Sequence, residues 1–467
     1  MISENSSFCL DILAPNICKN EINWVIEQVF KEFLGINYSL NFHSQNFFSI
    51  KGSSEDKELK IDANFFLFLE KNWLSNDLPF ADSLTIDSSI LKNSFLLMHQ
   101  EIPVIFGNNS IEIKDNSMSL GFDIFGSIFF LLSRYEECLD FTKSTHDRFG
   151  AESSWMGKNN CLHRPLVNEY VIFLQACLQD LGIYINPKTR YFKNIITADV
   201  DAPYTIHRSL FAYVRQILGD ILKRRNIKLA IKNIVNPLFI KFGILRFDPF
   251  YKYFDWMMSK NEESGNSMIF YIMINSGVSK FDGLYDINEP IIKKLIKSID
   301  KRGHRLGIHF SYDSYRNKDL MEKELSMFKY FLKEQNIVLE KILARQHVLR
   351  WDTRITASLQ EQVGVQQDST LAFHNNIGFR SGVCFDYQMY DILNRKKLDL
   401  IQSPLIIMEA SIFETKYMNM KPNKNTLDLA LSYKETCMFY NGNFNLLWHN
   451  SRFIEDGYED FYKNLLN

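Results

Sequence analysis

The sequence predicts an α/β protein whose C-terminal part is a mostly parallel sheet or barrel. The chain has 467 residues, beyond the length at which one hydrophobic core usually stops growing, which favours two domains. Its 46% hydrophobic and 23% charged residues provide ample apolar surface to bury. From residue 194 onward, short apolar runs alternate with helical stretches, which is typical of βα units.

Residues 1–190 are predicted to form an N-terminal α/β (α+β) domain. Apolar patterns indicate a strand at 8–13 and a helix at 20–34, followed by further strands. Two longer helices are predicted around 119–139 and 167–181. The region before residue 190 therefore mixes both types of element without the regular alternation seen later in the chain.

The segment Arg134-Tyr135-Glu136-Glu137 lies between these two longer helices. Its charges have two interpretations. They line a cleft between the domains, or they form a salt-bridged helix end, which is the commoner role of a charge cluster.

A C-terminal domain is predicted over residues 191–467. Its strands are the apolar runs at 194–200, 267–275, 305–309, 341–346, 363–368 and 444–448. A helical insertion is expected at about 207–262, because the connection between the first two strands is longer than a βα unit requires. In barrels of βα units, reactive residues gather at the C-terminal ends of the strands.

Polar residues follow several of these strand ends. Asp199 and Asp201 occupy alternate positions of an extended strand, so their side chains point the same way, with Cα atoms about 6–7 Å apart. Such a pair can divide the work of a base and a metal ligand. His309 ends another strand, and Asp313 returns to the same place if a helical turn begins there, giving a metal half-site. Two further strands end in Ala344-Arg345-Gln346-His347 and Leu446-Leu447-Trp448-His449-Asn450.

The order of these pieces resembles the NodB-type polysaccharide deacetylases, carbohydrate esterase family four, over about residues 194–455. The resemblance implies a distorted (β/α)7-type barrel. It makes Asp199 the catalytic base and Asp201 a metal ligand. His309 matches the first histidine of the family's His-x-x-x-His motif, whose second histidine is replaced here by Asp313. The region before residue 190 also resembles the N-terminal domain fused to one branch of this family.

The later motifs of the family match less closely. Arg345 corresponds to the arginine that holds the base, although the Pro-Tyr that usually follows is His347-Val348 here. Asp368 corresponds to the aspartate of the fourth motif, and His449 to the histidine that acts as general acid. The resemblance implies that Asp368 orients His449.

The resemblance also implies a divalent metal ion, with Asp201 and His309 as ligands. Asp313, four residues after His309, either completes the metal site in place of the family's second histidine or caps a helix that follows Tyr312. Zinc suits mixed nitrogen and oxygen ligands, and manganese or cobalt are the alternatives for a site with one histidine and two carboxylates. Arg380 and Trp448 are the predicted substrate contacts, and for Arg380 bonding to local carbonyl groups is an equal alternative. The remaining histidines singled out, His207, His304, His347 and His374, are expected to be structural or surface groups.

The predicted function is removal of N-acetyl (or O-acetyl) groups from a carbohydrate, such as a cell-surface glycan precursor, by a metal-dependent hydrolase. Two alternatives stay open. The altered second and third motifs favour an inactive relative that binds carbohydrate or organises a complex. The fold also hosts enzymes that act on small cyclic amides, so an amidase for another C–N bond is the other alternative. No Walker A, Gly-x-Ser-x-Gly or His-Glu-x-x-His motif is present, which removes the usual nucleotide, serine-esterase and zincin interpretations.

The charge balance gives no indication of a nucleic acid partner, because 53 Lys and Arg face 55 Asp and Glu for a net charge of -2. The N-terminus lacks a signal sequence and no run approaches the ~20 apolar residues that span a bilayer, so a cytoplasmic location is expected. The seven cysteines are scattered without a Cys-x-x-Cys motif and are expected to be free thiols.

The segment 209–246 combines basic and apolar residues at partly helical spacing. It carries eight Lys and Arg against a single acid, Asp220. It is either an amphipathic helix that lies on an anionic membrane surface and contacts a lipid-linked substrate, or a lid that packs its apolar face on the barrel.

Overall fold

The computed structural model describes residues 9–52, 56–139, 144, 146–205, 210–222, 225–228, 230–231, 233–235, 248–274 and 279–467. Within these residues, two large β-sheets and the helices around them share one continuous hydrophobic core. All seven cysteines are free.

Eight strands belong to the N-terminal part of the chain. They are β1 (Cys9–Pro15), β2 (Asn37–His43), β3 (Phe47–Lys51), β4 (Glu58–Asp62), β5 (Thr85–Asp87), β6 (Glu101–Pro103), β7 (Gly107–Lys114) and β8 (Ser117–Phe122). Six of them form a mixed sheet in the order β2-β1-β3-β4-β8-β7, while β5 and β6 form an antiparallel ribbon. Exposed and buried residues alternate along β1, as expected for a strand with one face on the core.

Five α-helices accompany this sheet. They are α1 (Lys19–Ile26), α2 (Asn64–Leu69), α3 (Ile124–Ser133), α4 (Trp155–Lys158) and α5 (Leu166–Asp180), and α1 continues as a π-helix over Glu27–Leu34. The predicted strand at 8–13 and helices at 20–34 and 167–181 correspond to β1, to α1 with its extension, and to α5.

The helix predicted around 119–139 has the wrong bounds. Strand β8 continues to Phe122, and Asp123 caps α3 by accepting a hydrogen bond from the Gly126 backbone N–H at 2.7 Å. The helix ends at Ser133, where Arg134 adopts a left-handed conformation. Apolar periodicity alone did not reveal this capping aspartate.

The second sheet contains nine strands. They are β9 (Lys193–Val200), β10 (Met268–Met273), β11 (Arg305–Phe310), β12 (Leu343–Gln346), β13 (Gln367–Asp368), β14 (Tyr387–Asp391), β15 (Lys396–Gln402), β16 (Ile407–Met408) and β17 (Asn443–Leu447). Their order is β14-β15-β13-β12-β11-β10-β9-β17-β16, and every pairing is parallel except β14 with β15. The prediction of an α/β chain with a mainly parallel sheet is thus confirmed. A closed (β/α)7 barrel is not, because the described end strands, β14 and β16, do not pair with each other.

Within the described residues of this part of the chain, eight further α-helices have defined bounds. They are α6 (Leu210–Leu222), α7 (Lys252–Glu263), α8 (Pro290–Lys301), α9 (Lys318–Glu334), α10 (Thr356–Val363), α11 (Glu409–Phe413), α12 (Lys424–Phe439) and α13 (Tyr458–Leu466). Helix α8 illustrates their construction: proline opens its first turn, and its apolar residues at helical spacing are buried. None of the described helices is both long and apolar enough to cross a membrane.

Parts of the predicted insertion at about 207–262 lie outside the described residues, namely 207–209, 223–224, 229, 232 and 236–247. The described parts include α6 and α7. Helix α7 buries Tyr253, Phe254 and Met257, and the Tyr253 hydroxyl donates to the Phe453 carbonyl at 2.7 Å. This helix is therefore part of the packed core.

Helix α3 lies between the two sheets and is buried along its whole length. Phe125 contacts Phe48 of β3, with ring centroids 4.7 Å apart, and Phe129 contacts Tyr390 of β14 at 5.4 Å. A helix that is apolar all round is expected in such a position, because it has no face toward water. The two sheets are therefore packed against a common apolar element.

A buried ion network also joins the two halves of the chain. Glu137 accepts hydrogen bonds from Arg380 Nε and Nη2, both at 2.8 Å, and from Arg134 Nε at 2.9 Å. Thr353 donates to the same carboxylate, and Arg134 also pairs with Glu136. The salt-bridged interpretation of the segment 134–137 is thus the one that the structure supports, with Arg380 as a partner from the second half.

We expect Glu137→Gln to destabilise the protein by about 3–5 kcal/mol at neutral pH, because it leaves buried guanidinium groups without their full counter-charge. Burial raises the pKa of Glu137, but Arg380 and Arg134 outweigh it and lower the pKa to about 2 from its ordinary 4.5. The stability from this lowered pKa is present above pH 4.5 and is lost as the pH falls toward about 2. The difference in unfolding free energy between the wild type and the variant should therefore narrow over that range.

Urea unfolding at a series of pH values measures this difference. Lys463→Gln, which removes an exposed ion pair with Asp460, serves as the control and should change stability little at any pH. A difference between Glu137→Gln and the wild type that stays constant below pH 4.5 contradicts the prediction.

Candidate metal centre

Neighbouring parallel strands bring their C-terminal ends to one edge of the second sheet. Asp199 ends β9 opposite Tyr271 of β10, and His309 of β11 lies opposite Arg345 of β12. His347 follows β12 directly. The register thus gathers the titratable residues of three strands.

Asp201, His309 and His347 form a group that can hold a metal ion, with one ligand atom from each within 4.8 Å of the others. Asp201 Oδ1 lies 3.2 Å from His309 Nε2 and 3.8 Å from His347 Nε2. Atoms bound to one zinc ion at 2.0–2.2 Å in a tetrahedral arrangement lie about 3.3–3.6 Å apart. The spacing is therefore close to that of a ligand set.

Two of these ligand atoms are buried without a hydrogen bond. They are Asp201 Oδ1 and His309 Nε2. Burial lowers the pKa of His309, but the carboxylates of Asp199 and Asp201 outweigh it and raise the pKa above its ordinary value. The negative field that holds a proton on this imidazole also attracts a cation, so the donor set fits a divalent metal ion.

The second nitrogen of each imidazole has a defined partner. His309 Nδ1 donates to the Arg345 carbonyl at 3.0 Å, and His347 Nδ1 donates to Asp282 Oδ1 at 2.9 Å. Asp282 is itself fixed, because it accepts from the Tyr312 backbone N–H at 2.8 Å. A proton on Nδ1 leaves the Nε2 lone pair of both rings free to bind a metal, and such partners are usual around metal-binding histidines.

Asp199 is held beside this group by Arg345. Arg345 Nη1 lies 2.9 Å from Asp199 Oδ1 and donates to Thr197 Oγ1 at 2.8 Å. The other carboxylate oxygen, Asp199 Oδ2, lies 3.6 Å from His309 Nε2. One oxygen is thus bound by the guanidinium while the other faces the ligand group, as a base next to a metal ion requires.

His449 approaches from the opposite side, after β17. Its Nδ1 lies 2.7 Å from Glu409 Oε1, and its Nε2 lies 3.5 Å from Asp201 Oδ2. Burial would lower the pKa of His449, but Glu409 and Asp201 outweigh it and raise the pKa well above its ordinary value. His449 is thus kept protonated, as a general acid needs to be.

Two predicted assignments are corrected by this geometry. Asp313 does not join the ligand group: its side chain is 60% exposed and pairs with Arg350 at 3.3 Å, because a 3₁₀ turn begins after it and directs it away. His347 occupies the third position instead. Asp368 does not contact His449, because its carboxylate accepts from Thr370 and Gln360. Glu409 takes that place.

Neither predicted substrate contact reaches the cavity at this site. Arg380 is buried, where it donates hydrogen bonds to the Glu137 carboxylate and, at 2.9 Å, to the Ala372 carbonyl. The predicted alternative of bonding to a local carbonyl group is therefore the one observed. Trp448 is fully buried and stacks on Phe453, with centroids 5.6 Å apart. Both residues belong to the interior of the protein.

Sequence reasoning missed His347, Glu409, Asp282 and Arg148. His347 carried a usable signal, since it follows a strand end just as His309 does. Glu409 begins a five-residue helix after a two-residue strand, and Asp282 lies in a loop, so neither had a recognisable pattern.

A cavity of about 250 Å³ opens over the centre. It is lined by Arg148, Asp199, Asp201, His309, His347, Val348, Leu349, Met408, Ala410, Glu414, Lys416, Tyr417 and His449. Arg148 comes from the N-terminal part of the chain, so both halves contribute to the same cavity. A larger cavity of about 610 Å³, beside the N-terminal sheet, contains none of the metal-centre residues.

Residues 10–183 match the family of unknown function designated DUF7033, which falls inside the predicted N-terminal domain. Among curated proteins, none matches the chain. A solved structure from Mycobacterium smegmatis, named provisionally as a polysaccharide deacetylase, is 14% identical. The alignment covers 60% of this chain and 84% of that one, with a TM-score of 0.38. A likeness of this size carries no argument about fold or chemistry.

We expect His347→Ala to lower the affinity for zinc by at least about a hundredfold. Loss of a residue that only hydrogen-bonds to a metal ligand already costs about tenfold to a hundredfold. Asp282→Asn removes such an outer partner and should cost about tenfold to a hundredfold. Metal content after dialysis against defined free zinc, measured by elemental analysis, gives these affinities.

Asp313→Ala is the matched control, because it removes a carboxylate that forms an ion pair with Arg350 and does not belong to the ligand group. It should retain the metal affinity of the wild type. A loss of metal in this variant together with full retention in His347→Ala contradicts the assignment of the third ligand.

Proposed function

We propose that the protein is a metal-dependent hydrolase that removes an N-acetyl or O-acetyl group from a carbohydrate. One observation carries the proposal: a metal-ligand group lies between a carboxylate held by Arg345 and an imidazole held by Glu409. This places a base and an acid on two sides of one cation site. Hydrolysis of an acyl group needs a group that accepts a proton from water and one that gives a proton to the leaving atom.

Asp201, His309 and His347 would hold the metal ion. Two histidines and one carboxylate leave a coordination position for water or substrate, as in catalytic zinc sites, so zinc is proposed ahead of manganese or cobalt. A bound divalent ion supplies a Lewis acid that polarises the acyl oxygen and lowers the pKa of water. With His347 in place of Asp313, the ligand set contains more nitrogen than the sequence predicted.

The residues of the chain divide the proton transfers. Asp199 accepts the proton of the attacking water, and its contact with Arg345 fixes the position of the carboxylate. His449 donates a proton from Nε2 to the departing nitrogen or oxygen. Glu409 orients the His449 ring through Nδ1 and stabilises its charged form.

Two groups beside the ligand set favour a hydrolase over a purely binding or scaffold protein. A binding module has no use for a carboxylate held by Arg345 and an imidazole held by Glu409 next to a cation site. An amidase acting on another C–N bond would use the same groups, so acetate release is the measurement that separates the two enzymes.

We expect Asp199→Asn to lower the rate of acetate release by about 10²–10⁴-fold while the metal stays bound, because it removes only the base. Asp201→Ala and His309→Ala should lose metal and activity together. Acetate release is measured over N-acetylated sugar nucleotides, lipid-linked sugars and oligosaccharides, with metal content determined on the same samples.

A second pair of variants tests the acid. Glu409→Gln should lower the rate at least about tenfold, because an unsupported His449 loses part of a contribution of 10²–10⁴-fold. Asp368→Asn is the matched control, since Asp368 contacts Thr370 and Gln360 and not His449.

Wild-type turnover in Asp199→Asn on a verified substrate would show that the mechanism is wrong.

A further inference from the structure

The cavity over the metal centre also has a cationic part. Arg148 and Lys416 both line it, together with Tyr417. Arg148 Nη1 donates to the Val348 carbonyl at 3.1 Å and Nη2 to the Tyr417 hydroxyl at 2.9 Å. These contacts fix the guanidinium against the cavity.

Arg148 is a buried cation with no anionic partner among the residues that the structure describes. It is only 5% exposed, and its Nε is buried without a hydrogen bond. Its two recorded partners, a carbonyl group and a tyrosine hydroxyl, are uncharged groups. Burying a guanidinium without a counter-charge is unfavourable, so this position needs a reason.

The other buried arginines of the described chain all have a carboxylate partner. The pairs are Arg134 with Glu136 and Glu137, Arg345 with Asp199, Arg350 with Asp147, and Arg380 with Glu137. Arg148 is the exception within this set, and it is also the one that lines the cavity together with the metal ligands.

The carboxylates of the cavity do not supply the missing charge. Glu414 also lines it, but Arg452 binds this carboxylate at 2.5 Å. The pKa of the neighbouring His374 is lowered to about 3, first by burial and then by the positive charges of Arg148 and Arg380. The surroundings of the cavity therefore carry a positive potential. An anion entering the cavity would meet a cationic wall.

We propose that the substrate carries an anionic group, a carboxylate or a phosphate, that binds Arg148 and Lys416 while its acyl group lies at the metal centre. This inference rests on the proposed function for the identity of the reacting group. The cavity of about 250 Å³ is below the usual 300–1,000 Å³ of ligand pockets, so the acyl group and the anion belong to one small sugar unit.

Acetate release from three probes tests the inference: a neutral N-acetylhexosamine, its 1-phosphate, and the corresponding N-acetylhexosaminuronate. The wild type should have a kcat/KM at least about tenfold higher for one anionic probe than for the neutral one, and the preferred anion identifies the group. Arg148→Gln should lower kcat/KM for that anionic probe by about thirtyfold or more, since losing one partner of a buried charge pair has effects of this size. The neutral probe should change much less.

Lys416→Gln keeps the test decisive if Arg148→Gln folds poorly, because Lys416 is exposed. It should lower kcat/KM for the anionic probe a few-fold, as expected for an exposed charge. Lys421→Gln is the matched control on the same loop, does not line the cavity, and should have no effect.

Equal kcat/KM values for neutral and anionic probes in the wild type overturn the inference. So does an equal loss on both kinds of probe in Arg148→Gln, which is the result of a purely structural role through Val348 and Tyr417. If no probe releases acetate, the proposed function fails, and calorimetry with the hexosamine 1-phosphate and the hexosaminuronate then decides the anion site. Binding lost in Arg148→Gln supports it, and absence of binding to the wild type overturns it.

A second inference comes from the burial pattern of the segment 210–235. Its described apolar side chains are largely exposed: Val214, Leu218, Ile221 and Leu222 on α6, then Ile227, Ile231 and Ile234. The groups buried here include Ala230 and the polar pair Asp220 and Asn233. Asn233 Nδ2 donates to Asp220 Oδ2 at 2.7 Å. Polar groups thus lie inside and apolar groups outside, the reverse of a lid packed on the barrel.

The charges indicate what covers this face. Asp220, the single acid of residues 209–246, is buried, while Arg215, Arg225 and Lys228 are exposed. We infer that the described residues of this segment, 210–222, 225–228, 230–231 and 233–235, lie on an anionic membrane surface, where apolar side chains enter the headgroup boundary and cations meet the lipid charge. Helix α6 is about 20 Å long, short of the ~30 Å of a bilayer core, so it lies on the membrane and does not cross it.

Co-sedimentation with vesicles of phosphatidylcholine alone, or of equal amounts of phosphatidylcholine and phosphatidylglycerol, tests this inference. Binding should appear with the anionic vesicles and weaken with salt. The pair Arg225→Gln and Lys228→Gln should weaken it by about fivefold per residue. The pair Leu222→Ser and Ile227→Ser should weaken it as well, whereas Lys294→Gln with Lys297→Gln on α8 is the control and should leave it unchanged.

Equal recovery in the supernatant with both vesicles at low salt overturns the membrane inference. Light scattering provides the other decisive result. A dimer in the absence of lipid that dissociates in the Leu222→Ser and Ile227→Ser variant shows that a second copy of the chain covers this face, which also overturns it.

Discussion

The candidate site depends on one buried cation, Arg345. Its guanidinium donates to Thr197, Asp199 and Ser369, and its Cζ lies 4.4 Å from the centre of the Tyr271 ring. A buried guanidinium requires a counter-charge, and the Asp199 carboxylate lies 2.9 Å from it. The backbone carbonyl of the same residue accepts from His309 Nδ1. Arg345 therefore positions the proposed base with its side chain and one proposed metal ligand with its main chain.

The turn after β12 connects this arrangement to the N-terminal half. Val348 and Leu349 both have left-handed backbone conformations, with φ of 59° and 54°. Such conformations cost on the order of 1–3 kcal/mol each for residues that are not glycine, most of all for a β-branched side chain. Arg148 binds the Val348 carbonyl, and the Arg350 backbone N–H donates to the His347 carbonyl. A residue from the first half of the chain thus contacts the turn that follows His347.

The sequence predicted the parts of the site that depend on a single strand. Asp199, Asp201 and His309 follow apolar runs, and the parallel sheet brings them together as strand ends. The third ligand, His347, had a usable signal in its position after a strand end, but its approach to Asp201 depends on the register of a neighbouring strand, which spacing along the chain does not give. Asp313 has a spacing from His309 that suits a metal ligand, but in the structure its exposed side chain forms an ion pair with Arg350 instead.

The same limit applies to the partner of His449 and to the fold. Glu409 follows β16, a two-residue strand too short to give a periodic pattern. The hairpin of β14 and β15 also escaped prediction, and it extends the sheet at one end where a closed barrel was expected. Elements with long apolar runs, such as β10, were found because burial on both faces leaves a clear signal.

The charges of the cavity divide into two sets that balance in different ways. Four carboxylates, those of Asp199, Asp201, Asp282 and Glu409, surround the centre, and Arg345 is the fixed cation among them. The proposed divalent ion and a protonated His449 would bring this set to neutrality, so this end of the cavity needs no charge from the substrate. Glu414 and Arg452 neutralise each other. Among the described residues, the buried Arg148 then remains without a counter-charge, beside the exposed Lys416, and the anionic group proposed for the substrate would supply that charge.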